Sequence, residues 1–356
     1  MRILILSPDE PPIGLLHALT ALDVVPVVVR HSGESSTDGV IRYIRLTTRG
    51  DAASPADLRW SRKALRATVR DVAPALLHLI GDPWTPTAEA GAAAARKLGL
   101  PYVLVGTSSH DGPKGLTAKW QADRVREGAA ALVGMARPAL ERLAGSGWTK
   151  PVAVIPLSGV SASGTRERAE AETPVKLAVV GRVVRERGLD LLLDSLAETY
   201  GDWRLRIAGT GPIQEELEAQ AQRLGLSSRI EWLGAMPRES LAQLWANTDV
   251  LVAPSRSTAD WVEPTGSVVL EAMAHGIPAI VSRSGALPDV VAEAGLVIAE
   301  DDGPALTRAL RSLVDEPARC RSLGALARAR VEEVYSEDAV ARRLASLWHL
   351  VLEAER

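Results

Sequence analysis

Hydrophobic positions in this chain gather into short unbroken runs, and amphipathic stretches separate them. Arg2–Ser7, Val24–Arg30, Ile41–Leu46, Ala75–Ile80 and Tyr102–Thr107 are runs of the kind that parallel strands buried on both faces require. Between them the spacing predicts helices over Leu15–Leu22, 56–72 and Thr87–Leu98. Two more strands, Ala131–Gly134 and Val152–Ile155, close this half. Strand alternating with helix implies parallel βαβ units in a doubly wound sheet. From Ser158 to Pro174 the pattern breaks into small, polar and charged residues with no apolar period, as an interdomain linker does. Alternation then restarts. Strands are predicted at Val175–Val180, Arg204–Ala208, Ile230–Leu233, Val250–Ala253, Ala279–Ser282 and Leu296–Ile298. Helices are predicted near 188–199, 213–224, 238–247, 267–275 and 304–315, and the last two near 317–334 and 337–354. The class is α/β. The boundaries are 1–160, a linker at 161–174, a second domain at 175–336, and a terminal segment at 337–356. There is no internal repeat.

The stretch Pro254–Gly276 carries the chemistry. An apolar strand ending at Ala253 runs into a polar loop that closes on Glu263-Pro264-Thr265-Gly266, and a helical pattern follows to His275. Pro264 and Gly266 permit a tight turn that leaves the N–H groups of Gly266, Ser267 and Val268 at the open start of a helix, a ready anion site. Glu263 stands before the turn and Glu271 stands two helical turns into the helix. Two carboxylates around an anion site suit a ligand with phosphate in the middle and hydroxyls at both ends, the layout of a nucleotide-sugar.

The run Glu263-Pro264-x-Gly266 … Leu270-Glu271-Ala272-Met273-Ala274-x-Gly276-x-Pro278 resembles the signature of the retaining glycosyltransferases of family 4. That resemblance implies the GT-B fold, two Rossmann-like domains facing across a cleft. The last helix, 337–356, would cross back to the first domain. The activity implied is retaining transfer of a sugar from a nucleotide-diphosphate donor to the hydroxyl of a small molecule, lipid or glycan. Gly181-Arg182 … Glu186-Arg187-Gly188 is similar to the family's Gly-Arg … Glu-Lys-Gly element, whose two cations clamp the donor diphosphate. Arg182 matches, whereas Arg187 stands where the family has lysine. In the implied site Arg182 and Arg187 stabilise the leaving diphosphate. Glu263 holds sugar hydroxyls, Glu271 the ribose, and Gly266, Ser267 and Val268 offer N–H groups. Gly209-Thr210-Gly211-Pro212 resembles the turn lining the nucleotide side. Leu233-Gly234-Ala235-Met236-Pro237 resembles the loop beside the base. His110, in Thr107-Ser108-Ser109-His110, fits a histidine placed near the donor sugar. His78 resembles a second family histidine and reads as structural. The first loop departs most: Pro8-Asp9-Glu10-Pro11-Pro12-Ile13-Gly14 has one glycine where the family has a pair. Gly14 is the nearest match, and Asp9 or Glu10 would meet a hydroxyl or a cationic acceptor.

Composition narrows this only a little. A chain of 356 residues has room for two domains, and a net charge of −3 gives no bias toward nucleic acid. A single cysteine, Cys320, excludes a disulfide framework and a cysteine metal site and points to a reducing cytoplasm. The N-terminus is too short and too soon charged for a signal peptide. No Asp-x-Asp or His/Asp cluster has metal-ligand spacing, so the expected chemistry needs no metal and no cofactor beyond the co-substrate. Arg59, Arg62, Lys63, Arg66 and Arg70 form one face of the helix expected at 56–72. That face reads as solvated, with weak contact to an anionic membrane as the alternative. The sequence leaves the oligomeric state, donor base, sugar and acceptor open. A GT-B epimerase, a pseudo-glycosyltransferase joining a cyclitol to an amine, and a nucleotide-sugar-binding module without turnover also stay open. A nicotinamide dehydrogenase is disfavoured, because Gln214 occupies the third glycine position of a dinucleotide fingerprint.

Overall fold

The computed structural model describes residues 1–50, 58–107, 112, 115–157, 160, 173–237, 240–259 and 261–356. The chain divides into two compact units, Met1–Gly159 with Glu337–Arg356, and Val160–Ser336. In chain order the strands of the first unit are β1 (Arg2–Leu6), β2 (Val25–Arg30), β3 (Ser36–Asp38), β4 (Ile41–Arg45), β5 (Thr48–Arg49), β6 (Arg59–Trp60), β7 (Leu76–Ile80), β8 (Tyr102–Gly106), β9 (Ala131–Gly134) and β10 (Val152–Val154). Its first five helices are α1 (Ile13–Thr20), α2 (Arg62–Val72), α3 (Pro86–Leu98), α4 (Leu116–Glu127) and α5 (Arg137–Ala144). The second unit has strands β11 (Val175–Val180), β12 (Trp203–Ala208), β13 (Ile230–Gly234), β14 (Val250–Ala253), β15 (Ala279–Ser282) and β16 (Leu296–Ile298). Its helices are α6 (Leu189–Ala197), α7 (Gln214–Arg223), α8 (Leu241–Ala246), α9 (Ser267–Ala274), α10 (Leu287–Val291), α11 (Gly303–Val314) and α12 (Pro317–Arg330). Helix α13 (Glu337–Ala354) belongs to the first unit.

In the first unit the sheet order is β10-β9-β8-β7-β1-β2-β4-β3, parallel except for the β3–β4 pair. Alternate residues of β1 face opposite cores. Ile3 and Ile5 join Leu15 and Leu19 of α1 with Leu344 and Trp348 of α13. Leu4 and Leu6 join Leu65 and Val69 of α2 with Ala88 and Ala92 of α3. A strand buried on both faces must be apolar throughout, which is why the strands stood out in the sequence. In the second unit the all-parallel order is β13-β12-β11-β14-β15-β16, over a core that includes Leu177, Leu192, Trp203 and Leu310. In each unit the order reverses direction once, between β1 and β7 and between β11 and β14. Ligands of open α/β sheets bind at the carboxyl ends of the strands at such reversals.

Two expectations need correcting. The helix expected over 56–72 begins at Arg62. Arg59 and Trp60 instead pair antiparallel with Arg49 and Thr48. The Ser61 hydroxyl caps the helix by accepting from Ala64 N at 3.3 Å. The basic face therefore loses Arg59, and Arg62 is paired with Glu89. Helices α4, α5 and α10 went unforeseen. Only Ala122 and Val125 of α4 are buried, so it has almost no apolar stripe. Helices α5 and α10 carry a proline in the first turn, where a missing N–H costs nothing. Of the expected linker, residues 161–172 lie outside the described residues. No described helix is long and apolar enough to cross a membrane.

Candidate functional site

In the second unit, the β11/β14 reversal gathers the segments that the motifs single out. β11 ends at Val180, and after Gly181 comes Arg182, on the exposed surface with no ion pair among the described residues. A single 3-10 turn, Arg185–Arg187, then leads to Gly188 and α6. On the other side of the reversal, β14 runs into the loop that carries Trp261 and Glu263. Arg187 Nη1 donates to Glu263 Oε2 across the reversal. The Glu263 side chain is only 8% exposed and that of Arg187 24%, so the pair is screened less than a surface ion pair. The Arg187 guanidinium also lies 5.2 Å from the Trp261 ring centroid.

Glu263 is fixed from behind. Its N–H donates to Ser284 Oγ at 3.4 Å and its carbonyl accepts from Ala286 N at 3.0 Å. Ser284 Oγ lies 3.1 Å from Ser257 Oγ, and Ser257 donates through its N–H and its hydroxyl to Glu300 at 2.8 and 2.6 Å. Arg256 ties the same loop to α6 through both oxygens of Asp190, at 2.7 and 2.9 Å, and also pairs with Asp301. Burial alone would lower the Arg256 pKa, but the hydrogen bonds to Asp190 and Asp301 outweigh it and hold the pKa above its ordinary value. A loop held by this many bonds keeps its carboxylate in one place.

Beyond Glu263 the chain turns through Gly266, whose φ of +62° favours glycine, and enters α9. The first turn of α9 has neither a side-chain cap nor an acidic residue, so its N–H groups are unanswered by the helix itself. Ser267 is exposed, Val268 half-buried, and Glu271 half-buried on the second turn. The Gly209–Gly211 turn lies against the Gly181–Val183 loop. A Cβ on Gly209 would collide with the Gly181 carbonyl, and one on Gly211 with the Val183 carbonyl. Gly209 N also donates to Gly234 O at 2.7 Å, which places the loop carrying half-buried Met236 next in line.

The first unit has its own reversal, between β1 and β7. His110 lies outside the described residues, but the strand end leading to it is held. Buried Asp82 accepts from Thr107 N at 3.2 Å and from its hydroxyl at 3.1 Å. His78 is 1% exposed on β7, and burial pushes its pKa down to about 3, so the ring is neutral. At Gly14, a Cβ would run into the Glu337 carboxylate at the start of α13. This glycine thus lets two elements of the first unit approach closely.

The sequence reading missed Trp261, the Ser257–Ser284–Glu300 chain, Arg256 and Asp82. Three of these positions lie in or beside the Pro254–Gly276 stretch already singled out. Asp82 follows a strand at its carboxyl edge, a position that would have flagged it.

The architecture is the GT-B fold, built from two Rossmann-like units. Sucrose-phosphate synthase from Thermosynechococcus elongatus superposes with a TM-score of 0.71 over 99% of this chain and 100% of that one, at 20% identity. Anabaena HepE in complex with UDP gives 0.73 over 98% and 99%, at 17% identity. Residues 164–330 match the family model of the glycosyl transferases group 1. A GDP-mannose-dependent monoacylated alpha-(1-6)-phosphatidylinositol monomannoside mannosyltransferase of Corynebacterium glutamicum is 32% identical over 181 residues, 49% of this chain and 47% of that protein. The match thus spans about half the length of that relative.

Proposed function

We propose that this protein transfers a sugar from a nucleoside-diphosphate donor to a hydroxyl acceptor with retention of anomeric configuration. The observation that carries the reading is the Arg187–Glu263 pair. It joins the two family-matching loops across the sheet reversal, with Arg182 and the open start of α9 in the same unit. Guanidinium has five donors in a planar fork, so Arg187 can stay bound to Glu263 and offer another N–H to a phosphate oxygen. In the reaction the bond from the anomeric carbon to the diphosphate oxygen breaks, and the acceptor oxygen bonds to that carbon on the same face. The leaving phosphate oxygen takes the acceptor's proton. Arg182, Arg187 and the α9 N–H groups stabilise the charge that builds on the diphosphate. Glu263 holds sugar hydroxyls and Glu271 the ribose. Relatives named for GDP-mannose and a neighbour bound to UDP support a nucleotide-diphosphate donor.

The test is a thermal-shift screen of nucleotide-sugars on the intact chain. A donor at a hundredfold its Kd should add about 2.7 kcal/mol of stability. One diphosphate-sugar class should shift the wild type, and Glu271→Ala should abolish the shift. No shift with any donor would overturn the reading. A shift without product from any hydroxyl acceptor would reduce the protein to a binding module.

A further inference from the structure

A cavity of about 420 Å³ lies at the carboxyl edge of the first unit's sheet, at the β1/β7 reversal. That is the size of a small-ligand pocket. Its wall is largely aliphatic and aromatic, including Leu15, Leu19, Met135, Leu344 and Trp348. His78 also lines it. Trp348 Nε1 donates to His78 Nδ1 at 3.3 Å, with the rings edge to face at 75°. In a neutral imidazole whose Nδ1 accepts, the proton sits on Nε2. His78 Nε2 is buried and has no hydrogen-bond partner among the described residues. A buried donor without a partner is costly, and a native structure that keeps one normally has a use for it. At the mouth stand Asp9 and Glu10. Glu10 is paired with Arg30 at 3.2 Å, whereas Asp9 is exposed and makes no ion pair among the described residues. No lysine or arginine is among the described lining residues.

We propose that this cavity seats a small uncharged or cationic molecule with an apolar body, which presents one carbonyl or ether oxygen to His78 Nε2–H. On the transferase reading, which this identification of the occupant rests on, the molecule is the body of the acceptor. Asp9 repels an anionic headgroup, and no basic residue of the described wall offsets it. The acceptor class thereby differs from the phosphatidylinositol glycosides named for the Corynebacterium relative.

Calorimetric titration of the full chain with three adamantane probes of nearly equal size tests this. 2-Adamantanone carries the carbonyl, 1-adamantanamine a positive charge, and adamantane-1-carboxylate a negative one. The ketone and the amine should bind, and the carboxylate at least about tenfold more weakly than the ketone, because its charge is desolvated beside Asp9. His78→Phe should weaken the ketone about 3- to 10-fold, the worth of one hydrogen bond, and leave the amine unchanged. Leu344→Trp, which fills the cavity, should abolish both. Failure of all probes to bind, binding that survives Leu344→Trp, or a preference for the carboxylate would overturn the proposal. The nucleotide-sugar shift is measured on the same samples. If donors bind and the probes do not, the pocket proposal falls alone. If the probes bind and no donor does, the transferase reading falls and the pocket stands.

Discussion

Arg187 stands where the Glu-Lys-Gly element that this segment resembles has lysine, and its pairing with Glu263 gives the difference a testable consequence. A lysine is a point charge, and one that faces Glu263 has less to give a phosphate; the guanidinium fork can serve both. Arg187→Lys should therefore keep donor binding but lower kcat/KM by about tenfold, which is ~1.4 kcal/mol of transition-state stabilisation. An unchanged kcat/KM would mean that the fork is not shared. Glu263→Gln should weaken the donor more, by releasing both the proposed sugar contact and the arginine. His78 gives a second residue-scale prediction. Its folded pKa of about 3 lies below the usual value near 6.5. Below about pH 6.5 the unfolded chain binds a proton that the folded chain refuses, so stability falls as pH falls, by about 1.4 kcal/mol per unit down to about pH 3. Urea unfolding followed between pH 7 and 4.5 should show this extra slope in the wild type and not in His78→Phe. Equal slopes would show that the imidazole is not held neutral.

At the scale of elements, the parallel strands of both units were legible because a strand covered on both faces has no room for polar residues, whereas the short pieces at Ser36–Asp38, Thr48–Arg49 and Arg59–Trp60 were not foreseen. Helices were legible only where one face is apolar. α4 presents almost none, and Leu58 and Arg59 fit a helical period while Arg59 and Trp60 in fact belong to a two-stranded ribbon. The site was legible as residue types but not as pairings. Arg187 meets Glu263 from 76 positions away, and Trp348 meets His78 from 270 positions away, distances at which no periodicity reports contact. Motif glycines are the exception, since their meaning is local. Gly209 has φ +146° and a carbonyl where its Cβ would go. Gly209→Ala should cost about 3 kcal/mol from overpacking and backbone strain together, and lower the melting temperature of the second unit. Gly99→Ala, also at positive φ but with open space around it, should cost only about 1 kcal/mol. Equal losses would mean that the two loops separate without penalty.

At the scale of the molecule, each unit has a sheet, a reversal in strand order and a core of its own, and each reversal carries a different chemistry. The second unit offers cations and helix N–H groups. The first offers an apolar cavity with one buried donor and an acidic mouth. Two ligands of opposite character should then leave separate footprints in hydrogen exchange. A nucleotide-sugar should slow exchange at 181–188 and at the start of α9, where its proposed phosphate and hydroxyl partners lie, and spare the core of β1 and β7. 2-Adamantanone should slow exchange at the first turn of α1 and at β7, and spare the α9 start. Separate binding sites alone do not exclude coupling, so the decisive measurement is the affinity for each ligand at saturation with the other. A single-displacement transferase needs donor and acceptor bound together, so the two affinities must coexist. Mutual exclusion, with either ligand expelling the other, would show that the two cannot be bound together and would sink the division of labour between the units.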